Sequence, residues 1–127
     1  DMHAFIIRGP SKSLLFLPDH DTWNETLAVH NSSSIREWLA KMDVDIALVD
    51  GTFWSEDELG GRNQAQVPHP PVRQTLKMLG EKQSSDPEIL FTHLNHTNPL
   101  YNRNSEQRKE VERLGWGIAY QGQRFTL

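Results

Sequence analysis

The sequence predicts an α/β layered domain, and three observations carry that reading. Two short, nearly continuous apolar runs rich in β-branched and aromatic residues, IALV at 46–49 and ILF at 89–91, have the pattern of interior strands buried on both faces. Apolar residues elsewhere recur at helical spacing behind capping residues. Strands and helices alternate along the chain instead of segregating, which favours a layered α/β arrangement.

The elements follow in order. The runs HAFII (3–7) and SLLFL (13–17) flank RGPSKS, whose glycine, proline and serines form turns, so an antiparallel hairpin ending at Pro18 is expected. Residues 18–34 read as a polar, irregular loop. Ser34 with Glu37 forms a capping box, and Ile35, Trp38, Leu39 and Met42 share one helical face. The strand in DVDIALVDGTFW ends at Asp50-Gly51. An acidic, glycine-containing loop, SEDELGGRNQAQ, leads to VPHPPVRQTLKMLGEK, where Pro70 and Pro71 suit the first turn of a helix with Val72, Thr75, Leu76 and Leu79 on one face. His69 then sits at a helix N-terminus. The strand EILFT ends at His93. Asn104 with Gln107 resembles another capping box, Val111 and Leu114 line the helix, Gly115 caps it, and WGIAYQGQRFTL is expected to close as a hairpin.

Composition narrows the function. The chain has 127 residues, enough for one core, and a formal net charge of -4 with scattered basic residues, which argues against nucleic acid as a partner. With no cysteine, a transition metal would have to be held by His, Asp, Glu or water. No run approaches the roughly 18 apolar residues of a spanning helix, and no basic-then-apolar signal pattern opens the sequence, so no membrane partner and a cytoplasmic location are expected.

Chemistry-bearing side chains cluster after strands. In α/β sheets, ligand sites gather beyond the carboxyl ends of strands. Asp19 with Asp21, Asp50, and His93 with His96 occupy three such ends. Each has a plainer alternative: an aspartate after a strand is an ordinary turn former, and a histidine there is often a hydrogen-bonded structural residue. Pro99 and the asparagines of THLNHTNP forbid a helix, so His93 and His96 are not a helical ligand pair. His3, His20 and His30 read as surface or loop residues, Trp38 and Trp116 as core or rim, and Trp23 and Trp54 as candidates to line a pocket. The acidic stretch EDELGG reads as a solvated loop or a flap over the site.

Taken together, FLPDHDTW, LVDGTFW, VPHPPV, THLNHTNP and GWGIAYQGQRFTL resemble, in order and spacing, the C-terminal half of the pyrroloquinoline quinone (PQQ) biosynthesis protein B family, a branch of the metallo-β-lactamase fold. The resemblance implies that residues 1–127 form one partial domain, half of a four-layer αββα sandwich with helices on one side of a mixed sheet. It implies an enzyme of cofactor biosynthesis acting on a tyrosine-derived precursor by oxygenation, with a metal-dependent hydrolase of a phosphoester or other small ester as the alternative. By the same resemblance Asp19 and His93 are metal ligands and Asp50 and His69 a proton-donating pair. Asp21, Asn95, His96 and Thr97 would steady that site or touch a small-molecule or peptide-derived substrate. The cofactor is a divalent metal (Zn, Fe or Mn) in a site incomplete in this chain, because the family's first half supplies a His-x-His-x-Asp-His motif absent from this sequence. Partners are then the missing N-terminal half or a second copy, and the chain by itself is expected to be inactive or a non-catalytic, pairing fragment. FLPDHDTW is richer in acids than the family's plainer loop, a departure that bears on substrate.

Overall fold

The sheet sets the position of everything else. A computed structural model describes residues 3–59 and 68–127, and among them five strands form one mixed sheet in chain order: β1 (Phe5–Arg8), β2 (Ser13–Leu17), β3 (Ile46–Asp50), β4 (Glu88–Thr92) and β5 (Gly117–Ile118). β1 and β2 form the expected antiparallel hairpin, with Phe5 opposite Phe16 and Arg8 opposite Ser13. β2, β3, β4 and β5 run parallel, in a register that aligns Leu17, Val49, Phe91 and Ile118 in one row and sets Asp50 beside Thr92. Parallel register brings the carboxyl ends of β2, β3 and β4 to one rim.

Among the described residues four α-helices return the chain between strands: α1 (Trp23–Val29), α2 (Ile35–Met42), α3 (Val72–Leu79) and α4 (Glu106–Arg113). Ser34 caps α2 by accepting from the Glu37 amide, and Ile35, Trp38 and Leu39 are buried. Val72, Thr75, Leu76 and Leu79 of α3 are all buried, as their spacing requires. α1 overturns the irregular loop expected over 18–34. The Thr22 hydroxyl accepts from the Glu25 amide, and Trp23, Thr26 and Leu27 bury one side of two short turns. α4 is capped one residue later than expected, by Ser105 accepting from the Arg108 amide, because Asn102 occupies the preceding turn through the Asn104 and Ser105 amides.

All four helices cover one sheet face. Leu15, Leu17, Ala47, Val49, Ile89, Phe91 and Ile118 join the helix residues Trp23, Trp38, Leu39, Leu76 and Val111 in a single apolar cluster. The alternate residues point the other way, and Phe5, Phe16, Leu48 and Leu90 form one row across that second face. Trp23 and Trp54 are core residues, buried in the cluster; the Trp23 indole donates to Thr75 Oγ1 at 2.8 Å. His20 is a loop residue, as one of the two readings had it, but a buried one. The C-terminal stretch is no hairpin. Only Gly117–Ile118 pairs, parallel to β4, after which the chain turns at 121–122 and ends with the Leu127 carbonyl accepting from the Ser11 and Lys12 amides. Residues 60–66 of the acidic loop, and Val67, lie outside the described residues. No helix among the described residues is long and apolar enough to cross a membrane.

Candidate functional site

Asp50 closes β3 with its side chain turned inward, only 1% of the residue being exposed. Four donors converge on its carboxylate. Oδ1 accepts from the Thr52 amide (3.0 Å) and the Thr52 hydroxyl (2.8 Å); Oδ2 accepts from His69 Nδ1 (2.7 Å) and the His20 amide (3.3 Å). The turn that permits this needs Gly51: a Cβ there would lie 2.8 Å from the Thr92 carbonyl, to which the Gly51 amide donates at 2.7 Å.

His69 is delivered by the entry to α3. Pro70 and Pro71 cannot donate, and the first amides of the helix, Val72 and Arg73, donate instead to the Phe53 and Trp54 carbonyls (2.9 and 3.0 Å), docking α3 onto the segment after β3. The Phe53 ring meets the His69 ring edge-on at 5.7 Å. His93, immediately after β4, has φ of +63°, a left-handed conformation that costs an ordinary side chain energy and concentrates at functional positions. The following turn is pinned from below: Asn95 donates its amide to the Thr52 carbonyl (2.9 Å), and the buried Asn98 side chain donates to the carbonyls of Gly51 (2.7 Å) and Thr52 (3.3 Å).

Thr52 is the hub of this arrangement. Its hydroxyl lies 2.9 Å from His93 Nδ1 and 3.2 Å from His69 Nδ1. Its one proton goes to Asp50, so toward His93 the oxygen can only accept, which requires the proton of that imidazole on Nδ1 and leaves Nε2 with its lone pair. The same argument holds for His69, whose Nδ1–H faces an acceptor-only carboxylate. Both rings therefore present Nε2 as the reactive nitrogen.

Asp50, His69 and His93 each bring a ligand-capable atom within 4.8 Å of the others. Two imidazoles and a carboxylate are a donor set that suits Zn, Fe(II) or Mn. Asp50, however, is already occupied by four donors, the capacity of a carboxylate, which makes it the anchor of the histidines more than a free ligand. Asp19 lies at the edge of the group, Oδ1 3.4 Å from His69 Nδ1, with its side chain 67% exposed and its oxygens available.

The other sequence candidates are less central. Asp21 and His96 are exposed, and neither joins the ligand-capable group. Thr97 accepts from Asn95 Nδ2 (2.7 Å) and donates to Glu58, whose other oxygen accepts from the Trp54 amide (2.7 Å), so these residues brace the His93 turn from outside. Sequence reasoning missed two residues. Thr52 carried a usable signal, a hydroxyl two positions after a strand-ending aspartate, the spacing of a local side-chain turn. His20 carried none. It is buried against the Trp23 ring at 4.5 Å, its Nδ1 lies 2.9 Å from Thr26 Oγ1, and burial lowers its pKa to about 4 despite the nearby Asp50.

No protein-family model matches the chain. It is 28% identical to coenzyme PQQ synthesis protein B of Acinetobacter baumannii, over 89% of this chain and 40% of that protein, and 36% identical to the Cupriavidus necator protein of the same name, over 65% of this chain and 29% of that one. The chain is structurally similar to Zn2+-bound PqqB from Methylobacterium extorquens, a metallo-β-lactamase fold, with a TM-score of 0.61 and 26% identity over 98% of this chain and 40% of that one. The match falls in the C-terminal part of these proteins, and the chain spans 40% or less of their length.

Proposed function

We propose, from its homology to the C-terminal part of coenzyme PQQ synthesis protein B, that this chain contributes one side of a divalent-metal centre serving biosynthesis of the PQQ cofactor. The observation that carries the reading is the convergence of His93, His69 and Asp50 through Thr52, with Asp19 beside them, at the rim where three parallel strands end. Asp19 and His93 would hold the metal, His93 through Nε2. A metal bound there supplies Lewis acidity toward a substrate oxygen or water and, if it is iron, redox chemistry with oxygen.

The chain's own residues do the rest. Asp50 fixes the His69 proton on Nδ1 and, as an anion 2.7 Å away, stabilises the ring when it is charged, so Nε2 can take a proton from a substrate or return one to a leaving oxygen. Thr52 orients His93 in the same manner. Asn95 and Thr97 hold the turn that carries His93, while Asp21 and His96, both exposed, would be the residues to touch a substrate. Oxygenation of a tyrosine-derived precursor is the reaction this family resemblance favours. Hydrolysis of a small ester or phosphoester is the second reading, favoured by the Asp50–His69 pair, which has the geometry of a proton donor to a leaving group.

Metal content decides the central claim. The purified chain, dialysed to equilibrium against Zn2+, Mn2+ or Fe2+, is expected to bind metal weakly, as one side of a site does, by plasma mass spectrometry of the two compartments, and Asp19→Ala and His93→Ala to lose that binding with unchanged circular dichroism. Full retention in both variants would remove Asp19 and His93 as holders.

A further inference from the structure

Beside His93 lies a cavity of about 610 Å³ whose charge is unlike that of the rest of the chain. The protein carries 17 acidic residues against 13 basic ones, and the larger cavity, between α3 and α4, includes Glu56, Asp57 and Glu110 in its wall. The cavity next to His93 has no carboxylate among its described lining residues. Its wall contains His93, Arg103, Arg108, Tyr101 and Tyr120.

The two arginines differ in a useful way. Arg108 is half-buried and held in place, Nη1 donating to the Leu100 carbonyl and Nε to Glu112, both at 3.1 Å. Arg103, at the outer side of the Asn102 turn, is exposed and makes no hydrogen bond or ion pair among the described residues. A cation already paired with Glu112 and a free one lie on the wall of a cavity with no carboxylate among its described lining residues, so the planar donor fork of Arg103 is still available to an anion. Tyr101 and Tyr120 are 60% and 66% exposed there, and the Tyr101 hydroxyl is held by the Leu94 carbonyl at 3.1 Å. Exposed, oriented aromatic rings next to a cation suit a flat ligand.

We infer that this cavity is the subsite for an aromatic ligand bearing an oxyanion, a carboxylate or a phosphate, with Arg103 taking the anion and the ring lying between the tyrosines and His93. The inference builds on the metal-site reading, because it places the ligand against His93, but binding at the subsite does not need the metal.

Calorimetric titration of the chelator-treated protein therefore tests it alone. The probes are phthalate, phenyl phosphate, the neutral phthalamide and inorganic phosphate. Phthalate or phenyl phosphate is expected to bind at least about tenfold more tightly than phthalamide and than inorganic phosphate, to lose about tenfold or more in Arg103→Met, and to recover part of it in Arg103→Lys. Preference for phthalate identifies a carboxylate ligand, and preference for phenyl phosphate a phosphoester. Equal affinity for phthalamide, an unchanged Arg103→Met, inorganic phosphate matching phenyl phosphate, or no binding of any probe would each overturn the subsite. Metal retention, measured separately, tells failure of the centre from failure of the subsite.

Discussion

The hydroxyl of Thr52 stands between Asp50 and His93, 2.8 Å from Oδ1 of the first and 2.9 Å from Nδ1 of the second, so one side chain couples the buried acid to the exposed histidine. Thr52→Val keeps the shape and removes the coupling. His93 is then expected to populate both tautomers, visible in long-range 1H–15N spectra of the metal-free protein, and metal affinity to fall by about 10–100-fold, the usual cost of deleting a partner behind a ligand. Thr52→Ser should restore both. An unchanged tautomer signal in Thr52→Val would show that the hydroxyl only fills space.

Asp50 is predicted to matter to stability as well as chemistry. Asn in its place offers one acceptor oxygen where four donors converge, and turns an N–H group toward some of them. Burying donors without acceptors costs about 1–3 kcal/mol each. Urea unfolding of Asp50→Asn should therefore show a loss of at least about 1–3 kcal/mol at pH 7, whereas exposed Asp21→Asn, which touches none of these groups, should unfold like the parent.

The pH dependence of folding has a definite sign. His20 titrates near 6.5 in the unfolded chain and, because burial disfavours its charged form, at about 4 in the folded one. Between those values the unfolded state binds the additional proton, so stability falls as pH drops from 6.5 toward 4 and is not lost above 6.5. The slope approaches about 1.4 kcal/mol per pH unit. His20→Leu, which cannot take up that proton, is expected to flatten this part of the stability curve. Parallel curves for the two proteins from pH 7 to 4.5 would remove His20 as the cause.

Most of the fold was legible because it follows from patterns local to each segment. IALV and ILF have the composition of interior strands and are β3 and β4, and the Ser34 box started α2 where the structure has it. α1 was missed although Thr22 and Glu25 carry the same capping spacing as Ser34 and Glu37, because its run from Trp23 to Val29 is short and polar between its buried residues; the packing of Trp23 on Trp38 and Thr75, contacts distant in sequence, holds it in place. The C-terminal hairpin failed for a related reason: Gly117 and Ile118 find a partner in β4, which no local rule reveals. At the site, strand ends pointed to Asp50 and His93 and the family resemblance to His69, three side chains that lie together in the structure. The turn of Thr52 onto Asp50 was a local signal left unread, whereas its contacts with His69 and His93, and the packing of His20, cross the fold and appear only once β3, α1 and α3 are placed together.

The face of the sheet opposite the helices carries the last prediction. Phe5 and Ile7 of β1 are 57% and 54% exposed there, continuous in register with Phe16 and Leu48 and with Leu14 and Ile46. A row of this kind reaching solvent at an edge strand is apolar surface that association would remove from water, at about 25 cal/mol for each Å² buried. The chain is expected to self-associate with rising concentration in light scattering and to bind an apolar dye. Because Phe5 and Ile7 lie outside the helix-side core, Phe5→Glu with Ile7→Lys should reduce both effects while leaving the urea midpoint nearly unchanged. A monodisperse monomer without dye binding would mean that the face is satisfied within one chain. Loss of the urea midpoint in the double variant would mean that Phe5 and Ile7 hold the hairpin itself together.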